Sequence, residues 1–271
     1  MPRTAILWFR RDLRVHDHPA LTAALAEAEV VVPVFVIDDA LLTGRWPAPN
    51  RAWFMRESLV ALSGALAERG AALRILRGRP ADVLPRLARE AGASDLYLTR
   101  DTTPYGRRRD REVADRLAED GVTVHAKRGL YVHEPDDVLT RDGRPFTVYG
   151  AFRRAWEART RRVVFPAPAR IPGPHGARPD EIPDLGAPTA DPALVPQPGE
   201  AAARARLAAW VDARVGAYAE GRNRMDLDGT SRLSPHLHFG EISPRQIWSA
   251  LQHHAGAGGG TDWRTSQFLT E

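Results

Sequence analysis

Five short apolar runs, separated by longer helical patterns, constrain the fold of this chain more than any other feature. The runs lie at residues 4–9, 30–37, 73–76, 95–99 and 122–126. Valine, isoleucine and leucine predominate in them, which is typical of strands that are buried on both faces. Because helical patterns alternate with these runs, we predict an α/β fold with a doubly wound, parallel, five-stranded sheet.

Three segments between the predicted strands carry apolar side chains at helical spacing. They are residues 51–69, 80–91 and 107–120. Gly70, Gly92 and Gly121 follow them, at the position where a glycine commonly ends a helix. We therefore predict three helices that each end at one of these glycines.

The first predicted strand is followed by Arg10-Arg-Asp-Leu-Arg14 and not by a glycine-rich turn. A Rossmann-like sheet that binds a dinucleotide in the usual way carries G-x-G-x-x-G here, because the glycines let the backbone approach the pyrophosphate. A dehydrogenase-type site is thereby excluded. Ligands of open α/β sheets still bind at the carboxyl ends of the strands, so we predict a pocket near Arg10, Asp38 and Arg100.

The composition changes between residues 165 and 198, where ten prolines interrupt every possible helix or strand. We interpret residues 131–199 as a Pro-rich interdomain connector that runs along the surface in an extended conformation. Residues 1–130 would then form the α/β domain.

The pattern becomes helical from Glu200 onward, and residues 200–271 are predicted to begin a second, all-helical domain. One face of its first helix is expected to carry Leu207, Trp210, Val211, Val215 and Tyr218. The last nine residues, 263–271, have the pattern of a helix without a stop signal, so we expect the chain to be truncated at its C-terminus. We expect this incomplete domain to be loosely folded on its own.

The composition limits the classes of protein to which the chain can belong. Its 271 residues exceed the usual size of a single core, which favours two units. The absence of cysteine excludes disulfides, thiolate metal sites and a cysteine nucleophile. No apolar run approaches the roughly 20 residues of a membrane span. We therefore expect a cytoplasmic protein without membrane contact, and a monomer.

The net charge of +4 is compatible with nucleic-acid binding without demonstrating it. Arginine supplies 37 of the 38 basic residues, and Lys127 is the single lysine. Such a bias can reflect a GC-rich coding sequence. We therefore do not take the positive net charge as evidence of a DNA partner.

The segment Asp228-Gly-Thr-Ser-Arg-Leu-Ser-Pro235 has the chemistry of a phosphate cradle. Its hydroxyl groups and backbone N–H groups can donate hydrogen bonds, and Arg232 adds a fixed positive fork. Ser234-Pro235 is typical of a helix start, whose positive end favours an anion. The alternative is that this Ser-Pro and the one at Ser243-Pro244 simply cap two short helices.

This segment is part of a longer resemblance to the DNA photolyase/cryptochrome family, closest to the photolyases of cyclobutane pyrimidine dimers. The segments that carry it are Leu7-Trp-Phe-Arg-Arg-Asp-Leu-Arg-Val-His-Asp-His-Pro-Ala-Leu21, Pro104-Tyr-Gly-Arg-Arg-Arg-Asp110, Phe146-Thr-Val-Tyr-Gly-Ala-Phe-Arg-Arg-Ala-Trp156, Tyr218, Gly221-Arg-Asn223, the cradle segment itself and Leu237-His-Phe-Gly-Glu-Ile-Ser-Pro244. They follow the order of the family and span nearly the whole chain.

The resemblance implies that the helical domain binds flavin adenine dinucleotide (FAD). The cofactor-binding residues that it implies are Tyr218, Thr230, Ser231, Arg232, Leu233 and Ser234. It also implies that Arg222 contacts UV-damaged DNA and that reduced FAD drives light-dependent repair of pyrimidine dimers. The alternatives are a core tyrosine at 218 and an exposed loop arginine at 222. We expect the 271-residue chain alone not to repair DNA.

The resemblance implies a second, light-harvesting chromophore in the α/β domain, of the 8-hydroxy-5-deazaflavin type. Phe35 would stack on it, Arg51 would donate a hydrogen bond and Asp101 would accept one. The alternatives are a core phenylalanine, a helix-face arginine and a strand-end aspartate. The segment Tyr105-Gly-Arg lacks the Asn-Glu pair that folate-binding members carry, which argues against a folate.

No metal site is expected, although His236 and His238 lie two residues apart. They follow a helix-starting Ser-Pro, and the family has no metal there. His16 and His18 are expected to cap a helix or to form hydrogen bonds within a loop.

Two other functions remain open from the sequence. The chain can be a cryptochrome-like blue-light receptor that uses the same flavin site without repair. It can also be a deazaflavin- or nucleotide-binding α/β module with a vestigial remainder. Binding of a deazaflavin by residues 1–130 without flavin binding by the whole chain would support the module.

Overall fold

Five parallel strands form a single sheet in the computed structural model of this chain, which describes residues 2–42, 48–256 and 267–270. The strands are β1 (Thr4–Phe9), β2 (Val30–Ile37), β3 (Arg74–Arg77), β4 (Ala93–Thr99) and β5 (Thr123–Lys127), and their order across the sheet is β3-β2-β1-β4-β5. Every pairing between neighbours is parallel. The predicted doubly wound α/β sheet is confirmed, and each strand begins and ends within two residues of its predicted run.

Five helices accompany these strands. They are α1 (Pro19–Glu27), α2 (Asp39–Leu42), α3 (Pro49–Ala67), α4 (Pro80–Ala91) and α5 (Pro104–Glu119). The three predicted helices correspond to α3, α4 and α5. Gly70, Gly92 and Gly121, which follow them, have φ angles of 90°, 59° and 73°. This left-handed backbone is readily available to glycine and confirms the predicted ends.

Alternate residues of β1 point to opposite faces of the sheet and into two separate cores. Leu7 and Phe9 lie in a core with side chains of α1 and α3. Ile6 and Trp8 lie in a core with side chains of α4 and α5. Both faces are therefore covered, which explains why the strands read as nearly continuous apolar runs.

The connector is held against the α/β part by backbone hydrogen bonds. Ile171 is fully buried, and its N–H donates to the carbonyl oxygen of Arg69 at 2.8 Å. Val31 donates to the carbonyl oxygen of Pro172 at 2.7 Å. The proline-rich stretch contains one 3₁₀ turn, Pro192–Leu194, and is otherwise irregular. One helix in the connector, α6 (Tyr149–Glu157), was not predicted from the sequence.

The C-terminal part is helical over the residues that the structure describes. Its helices are α7 (Glu200–Ala213), α8 (Tyr218–Gly221), α9 (Ser234–Phe239), α10 (Pro244–Gly256) and α11 (Gln267–Thr270). Their buried apolar side chains form a third core, made of Ala203, Leu207, Trp210, Val211, Leu233, Ile242, Ile247 and Leu251. No helix within residues 2–42, 48–256 and 267–270 is long and apolar enough to cross a membrane.

The predicted first helix of this part is too long. α7 ends at Ala213, because Arg214 leaves the helical region with a φ of −135°, and a 3₁₀ turn and α8 follow. Gly216 lies in that turn, and glycine is a poor helix former. Val215 and Tyr218 are therefore not on α7 as predicted, although both still pack against the third core.

The loop between β1 and α1 joins the sheet to the helical part. Leu13 donates its backbone N–H to the carbonyl oxygen of Phe239 at 3.1 Å. The buried Arg14 side chain donates to the carbonyl oxygen of Gly240 at 2.8 Å. Gly240 has a φ of 68°, and a Cβ atom there would overlap the carbonyl group of Arg11. Close approach of the two backbones therefore fixes the position of α9.

Asp17 lies at the centre of this junction and has no exposed surface. One of its carboxylate oxygens accepts a hydrogen bond from Arg162 of the connector at 2.6 Å. The other accepts one from the Ser243 hydroxyl at 2.5 Å. The loop, the connector and the start of α10 thus converge on one buried carboxylate.

Two histidines of the same loop complete the junction. His18 caps α1, since its Nδ1 accepts the N–H of Leu21 at 3.1 Å, which confirms the expected capping role. His16 contacts the helical part instead, because its Nδ1 lies 2.8 Å from a carboxylate oxygen of Glu200. Glu200 also accepts the backbone N–H groups of Val15 and His16, at 2.8 and 3.0 Å.

Candidate functional site

A cavity of about 680 Å³ opens at the carboxyl ends of β1 and β2. The cavity lies where predicted, because Arg10, Asp38 and, in the loop that begins at Arg100, Asp101 and Thr103 line it, although the Arg100 side chain itself does not. Arg100 forms ion pairs with Asp136 at 2.8 Å and with Glu134 at 3.1 Å instead. The cavity lies beside the point where the strand order reverses around β1, which is where such sheets bind ligands.

Phe35, Arg51 and Asp101, which the sequence nominates from three separate segments, all line this cavity. Phe35 lies near the carboxyl end of β2, and 6% of its surface is exposed. It also packs in the core with Phe9, so the alternative of a core phenylalanine describes it equally well. Arg51 lies in the first turn of α3 and is exposed.

Asp101 has a structural task besides lining the cavity. One carboxylate oxygen accepts hydrogen bonds from the backbone N–H and the hydroxyl of Thr103, both at 2.9 Å. Burial raises the pKa of this carboxyl. The two hydrogen bonds from Thr103 and the charge of the nearby Arg10 lower the pKa by more than burial raises it, so the net pKa lies below its ordinary value. Gly106 leaves room for the carboxylate, since a Cβ atom there would overlap it. Asp101 is therefore ionised and fixed in place.

Arg10 and Arg109 lie together in the cavity wall. The sequence analysis named Arg10 but not Arg109, and did not predict that the two arginines are neighbours. The guanidinium carbons of Arg10 and Arg109 lie 4.6 and 5.1 Å from the ring centre of Trp8. Burial lowers the pKa of Arg10, and so does the positive charge of Arg109. Asp110, paired with both arginines, partly offsets their charge. The wall thus combines planar aromatic surface with guanidinium groups, which suits a flat ligand with acceptor groups.

The helical part and a tyrosine of α5 close other sides of the cavity. His238 and Phe239, at the end of α9, are among its lining residues. Burial and the charges of Arg11 and Arg51 lower the pKa of His238, so the ring is neutral at neutral pH. The Tyr105 hydroxyl donates to Asp38 at 3.1 Å. Contacts between residues more than 200 positions apart therefore shape this site.

The predicted phosphate cradle lies in a closed loop of the helical part. Gly229 lies against the backbone of Gly221, and a Cβ atom on Gly229 would overlap the Gly221 carbonyl group. The two glycines therefore bring the ends of the loop 222–228 together. Residues 230–234 follow directly and lead into α9.

The hydroxyl residues of the cradle are accessible, whereas Leu233 is buried. Thr230 and Ser234 are exposed, and Ser231 is half-buried. Leu233 belongs to the third core; its backbone N–H donates to the Ser231 hydroxyl at 3.4 Å, and its carbonyl oxygen accepts the N–H of Leu237 at 2.9 Å. Ser234 is the first residue of α9, and the N-cap position is taken by Leu233, whose side chain makes no capping hydrogen bond. The first Ser-Pro therefore does not place its serine at the N-cap, contrary to the capping alternative.

The second Ser-Pro does cap a helix. The Ser243 hydroxyl accepts the N–H of Gln246 at 3.1 Å, and the Gln246 side chain accepts the N–H of Ser243 at 2.8 Å. This reciprocal arrangement is a capping box at the start of α10. The two Ser-Pro pairs therefore differ in role.

Three arginines surround the single carboxylate of Asp228 beside the cradle. Arg232 and Arg214 form ion pairs with it at 2.7 and 3.0 Å. Arg206 donates to the carbonyl oxygen of Ser231 at 2.8 Å. Burial lowers the pKa of Arg206, and the charges of Arg232 and Arg214 lower it further against the opposing effect of Asp228. Positive charge is therefore in excess at this point, which favours an anion.

Arg206 and Arg214 were not nominated from the sequence. Arg206 lies on α7, and Arg214 is the residue directly after it, eight positions further along the chain. The spacing of these two arginines was the only indication of their role that the sequence offered. Their role depends on the packing of the cradle against α7, which no local sequence pattern predicts.

Tyr218 and Arg222 lie one helical turn apart at α8. The Tyr218 ring packs edge-on against Trp210 and Phe268, with centroid distances of 5.8 and 5.2 Å. The guanidinium carbon of Arg222 lies 5.9 Å from the Tyr218 ring centre. Tyr218 is partly buried on the third core, so the core alternative accounts for its ring.

His236 and His238 do not face a common site. His236 is buried and its Nδ1 lies 2.5 Å from a carboxylate oxygen of the buried Glu241. His238 faces the cavity described above. Among residues 2–42, 48–256 and 267–270, no three histidine, aspartate or glutamate side chains are grouped so that they could hold a metal ion.

Comparison with known proteins shows which proteins this chain is similar to. Residues 5–172 match the model of the DNA photolyase family. A Streptomyces griseus protein named deoxyribodipyrimidine photo-lyase is 35% identical over 264 residues, which cover 94% of this chain and 56% of that protein. A Natronomonas pharaonis protein named cryptochrome DASH is 33% identical over 267 residues, which cover 93% of this chain and 56% of that protein.

The fold has a close counterpart among solved structures. A bacterial class III photolyase from Agrobacterium tumefaciens superimposes with a TM-score of 0.88 at 30% identity. The superposition covers 100% of this chain and 57% of that one. This chain therefore spans slightly more than half the length of each of these three proteins.

Proposed function

Because this chain belongs to the DNA photolyase family, whose model it matches over residues 5–172, we propose that it serves the light-driven repair of cyclobutane pyrimidine dimers in DNA. Reduced FAD, when bound, supplies the electron for this chemistry. The residues of this chain bind the cofactor, orient it and present positive charge to the DNA. The observation that carries the proposal is the excess of positive charge beside the hydroxyl groups of the cradle.

The donor set of the cradle fits the diphosphate of FAD. Hydroxyl groups of Thr230, Ser231 and Ser234 are at least partly accessible, and the backbone N–H of Leu233 lies among them. Three arginines face one carboxylate there, so a bound diphosphate would bring the local charge closer to balance. Tyr218 borders the same region through its contact with Trp210 on α7. These residues are our proposal for the FAD site.

Arg222 is proposed to contact a DNA phosphate. It is half-buried and projects from the same short helix as Tyr218, at the start of the closed loop. A guanidinium fork suits a phosphate group, and such contacts position a protein on DNA without reading its sequence.

The cavity of the α/β part is proposed to hold a light-harvesting chromophore of the deazaflavin type. A volume of about 680 Å³ lies within the usual range for pockets that bury a drug-sized ligand. Phe35 offers a ring face, Arg51 a donor and the ionised Asp101 an acceptor. The family membership supports a second chromophore, and the deazaflavin type is proposed from the resemblance of these three positions to those of the family.

Replacing Arg232 with alanine is expected to weaken FAD binding by about tenfold, the effect of losing one charge-assisted hydrogen bond. Fluorescence titration of the apoprotein with FAD measures this. Arg224→Ala is the matched control, because Arg224 forms the same kind of exposed pair with Asp226, at 2.6 Å, outside the cradle. Equal FAD affinity in both variants would count against the cradle.

Replacing Arg51 with alanine is expected to reduce the affinity for 8-hydroxy-5-deazaflavin by about tenfold, because a donor to the bound ring is lost. Absorbance titration of the full chain measures this. Arg56→Ala is the control, since Arg56 lies on the same helix but pairs with Glu57 and does not line the cavity. A loss that is equal in the two variants would show that α3 is disturbed and that Arg51 has no specific role.

A cryptochrome-like receptor is the second candidate, because cryptochromes are among the relatives of this chain. Both candidates bind FAD, and the 271-residue chain alone is not expected to repair DNA, so dimer reversal under blue light by a longer protein that contains this sequence distinguishes them. A chain that takes up deazaflavin but no FAD would instead support the α/β binding module. Measuring both ligands on the same preparation therefore separates the module from the two candidates that bind FAD.

A further inference from the structure

A second pocket, of about 370 Å³, opens where the loop after β1, the connector and the helical part meet. Leu207 of α7 and Ile242, which are 4% and 1% exposed and belong to the third core, form its floor. None of its described lining residues belongs to the cradle or to the cavity of the α/β part. Its volume lies within the range of about 300–1,000 Å³ that is usual for small-molecule sites.

Hydrogen bonds hold the walls of this pocket in place. The carbonyl oxygen of Phe165, in the connector, accepts the backbone N–H of Asp17 at 2.9 Å, and the Phe165 N–H donates to the Asp17 carboxylate at 3.3 Å. Gln246 of α10 is fixed by the capping box with Ser243. The pocket is therefore formed without a ligand, as small-molecule sites usually are.

Arg204 of α7 carries the only fixed charge among the described residues that line the pocket. Its guanidinium group donates to Nε2 of His16 at 2.8 Å. Nδ1 of His16 lies 2.8 Å from a carboxylate oxygen of Glu200, so Nδ1 carries the proton and Nε2 is the acceptor. A chain of two hydrogen bonds thus orients the guanidinium group, whose other N–H groups are available to a ligand.

The charge of Arg204 is not neutralised by a direct ion pair. Within the described residues, no carboxylate lies at ion-pair distance from its guanidinium group. Glu200 accepts the backbone N–H groups of Val15 and His16 besides the His16 ring, and its side chain is 10% exposed. Its oxygens are therefore occupied by the loop after β1, which leaves the exposed Arg204 without a carboxylate of its own.

Small side chains on α7 and α10 leave a narrow space above the floor. Ala208 of α7 lines the pocket, and so do Ser249 and Ala250 of α10. Nδ1 of His253, at the rim, donates to the Ser249 carbonyl oxygen at 2.7 Å. A flat, apolar body fits between the two helices, and its one anionic group would lie beside Arg204.

We propose that this pocket binds a small aromatic carboxylate. The aromatic body lies on Leu207 and Ile242 beside the Phe165 ring, where the removal of apolar surface from water stabilises the complex. The carboxylate accepts charge-assisted hydrogen bonds from the planar fork of Arg204. One arginine balances one carboxylate, whereas a phosphate ester would bring up to two negative charges to it. The pocket lies outside both proposed cofactor sites, so its ligand is independent of the flavin.

Isothermal titration calorimetry of the full chain with 2-naphthoate tests this site, and 2-naphthamide is the neutral probe of the same shape. Arg204→Gln removes the charge but keeps a donor to His16. Its control is Arg116→Gln, which alters an exposed arginine of α5. Ala208→Phe fills the pocket from an exposed position. Its control is Ala209→Phe, the next exposed residue of α7, which does not line the pocket.

The unchanged chain is expected to bind 2-naphthoate about tenfold more tightly than 2-naphthamide, because one charge-assisted contact distinguishes the two probes. Arg204→Gln should remove this preference by weakening only the binding of 2-naphthoate, also by about tenfold. Ala208→Phe should weaken the binding of both probes, because the aromatic body no longer fits. Both control variants should bind as the unchanged chain does.

Four results would overturn the proposal. They are no binding of 2-naphthoate by the unchanged chain, equal affinity for the two probes, equal losses in Arg204→Gln and Arg116→Gln, and binding that survives Ala208→Phe. Sedimentation velocity identifies the remaining occupant. If the unchanged chain dimerises and Ala208→Phe prevents this while Ala209→Phe does not, the pocket is an interface with a second copy of the chain, and the carboxylate site is refuted.

Discussion

Replacing Gly240 with alanine is expected to destabilise the folded chain by about 3 kcal/mol or more. The residue has a φ of 68°, where an L side chain is strained. A Cβ atom would also overlap the carbonyl group of Arg11 and approach Asp12, neither of which can move without shifting the loop after β1. The midpoint of urea unfolding, followed by circular dichroism, measures the effect.

Gly92→Ala is the matched control for this prediction. Gly92 has a φ of 59° at the end of α4, and a Cβ atom there would meet nothing within 4 Å. Only the backbone strain of about 1 kcal/mol is therefore expected. Equal destabilisation by the two substitutions would mean that the backbone contact between α9 and the loop contributes nothing.

Gly240→Ala should also affect ligand binding. α9 carries the cradle at its start and lining residues of the cavity at its end. A displaced α9 is expected to weaken FAD binding, whereas Gly92→Ala should leave it unchanged. Titration of both variants with FAD at a temperature where both are folded checks this.

Replacing Asp17 with alanine is expected to cost about 3–5 kcal/mol of stability, the usual effect of removing one partner from a buried ion pair. Asp17 is fully buried and bonded to Arg162 and Ser243. Its loss would leave the Arg162 charge and the nearby, largely buried Arg245 without their common carboxylate. Urea unfolding of the full chain measures the change.

Two further variants identify the cause. Asp17→Asn keeps the shape and tolerates the left-handed φ of 47°, so it should lose less stability than alanine. Asp39→Ala removes an exposed pair with Arg77 and should cost at most about 1 kcal/mol. If Asp17→Ala costs no more than Asp39→Ala, the junction does not depend on this buried carboxylate.

Local sequence patterns were sufficient to predict the sheet and the helices on its faces. The strands were predictable because both faces are buried and therefore apolar, and α3, α4 and α5 because each carries an apolar stripe and a terminal glycine. α6 was not predicted because its Trp156 ring packs against α10 while Tyr149 and Arg154 are exposed, a pattern that resembles a polar loop. The end of α7 was wrongly predicted because the apolar stripe continues to Tyr218, although Arg214 and Gly216 interrupt the helix.

The sequence also led to the residues of the cavity, through resemblance and not through spacing. Phe35, Arg51 and Asp101 come from three elements, and they line one cavity because parallel strands bring their carboxyl ends to the same edge. No local sequence pattern predicts that His238 lines the cavity, because α9 reaches the cavity through its contacts with the loop after β1.

The sequence by itself determined the α/β architecture, the proline-rich connector and the family, because apolar periodicity and long motifs are properties of neighbouring residues. Only the tertiary structure decided which charges meet. The contacts of Asp17 with Arg162 and of Asp228 with Arg214 depend on how the sheet, the connector and the helices pack. Burial makes those charge contacts strong, and burial is set by distant parts of the chain.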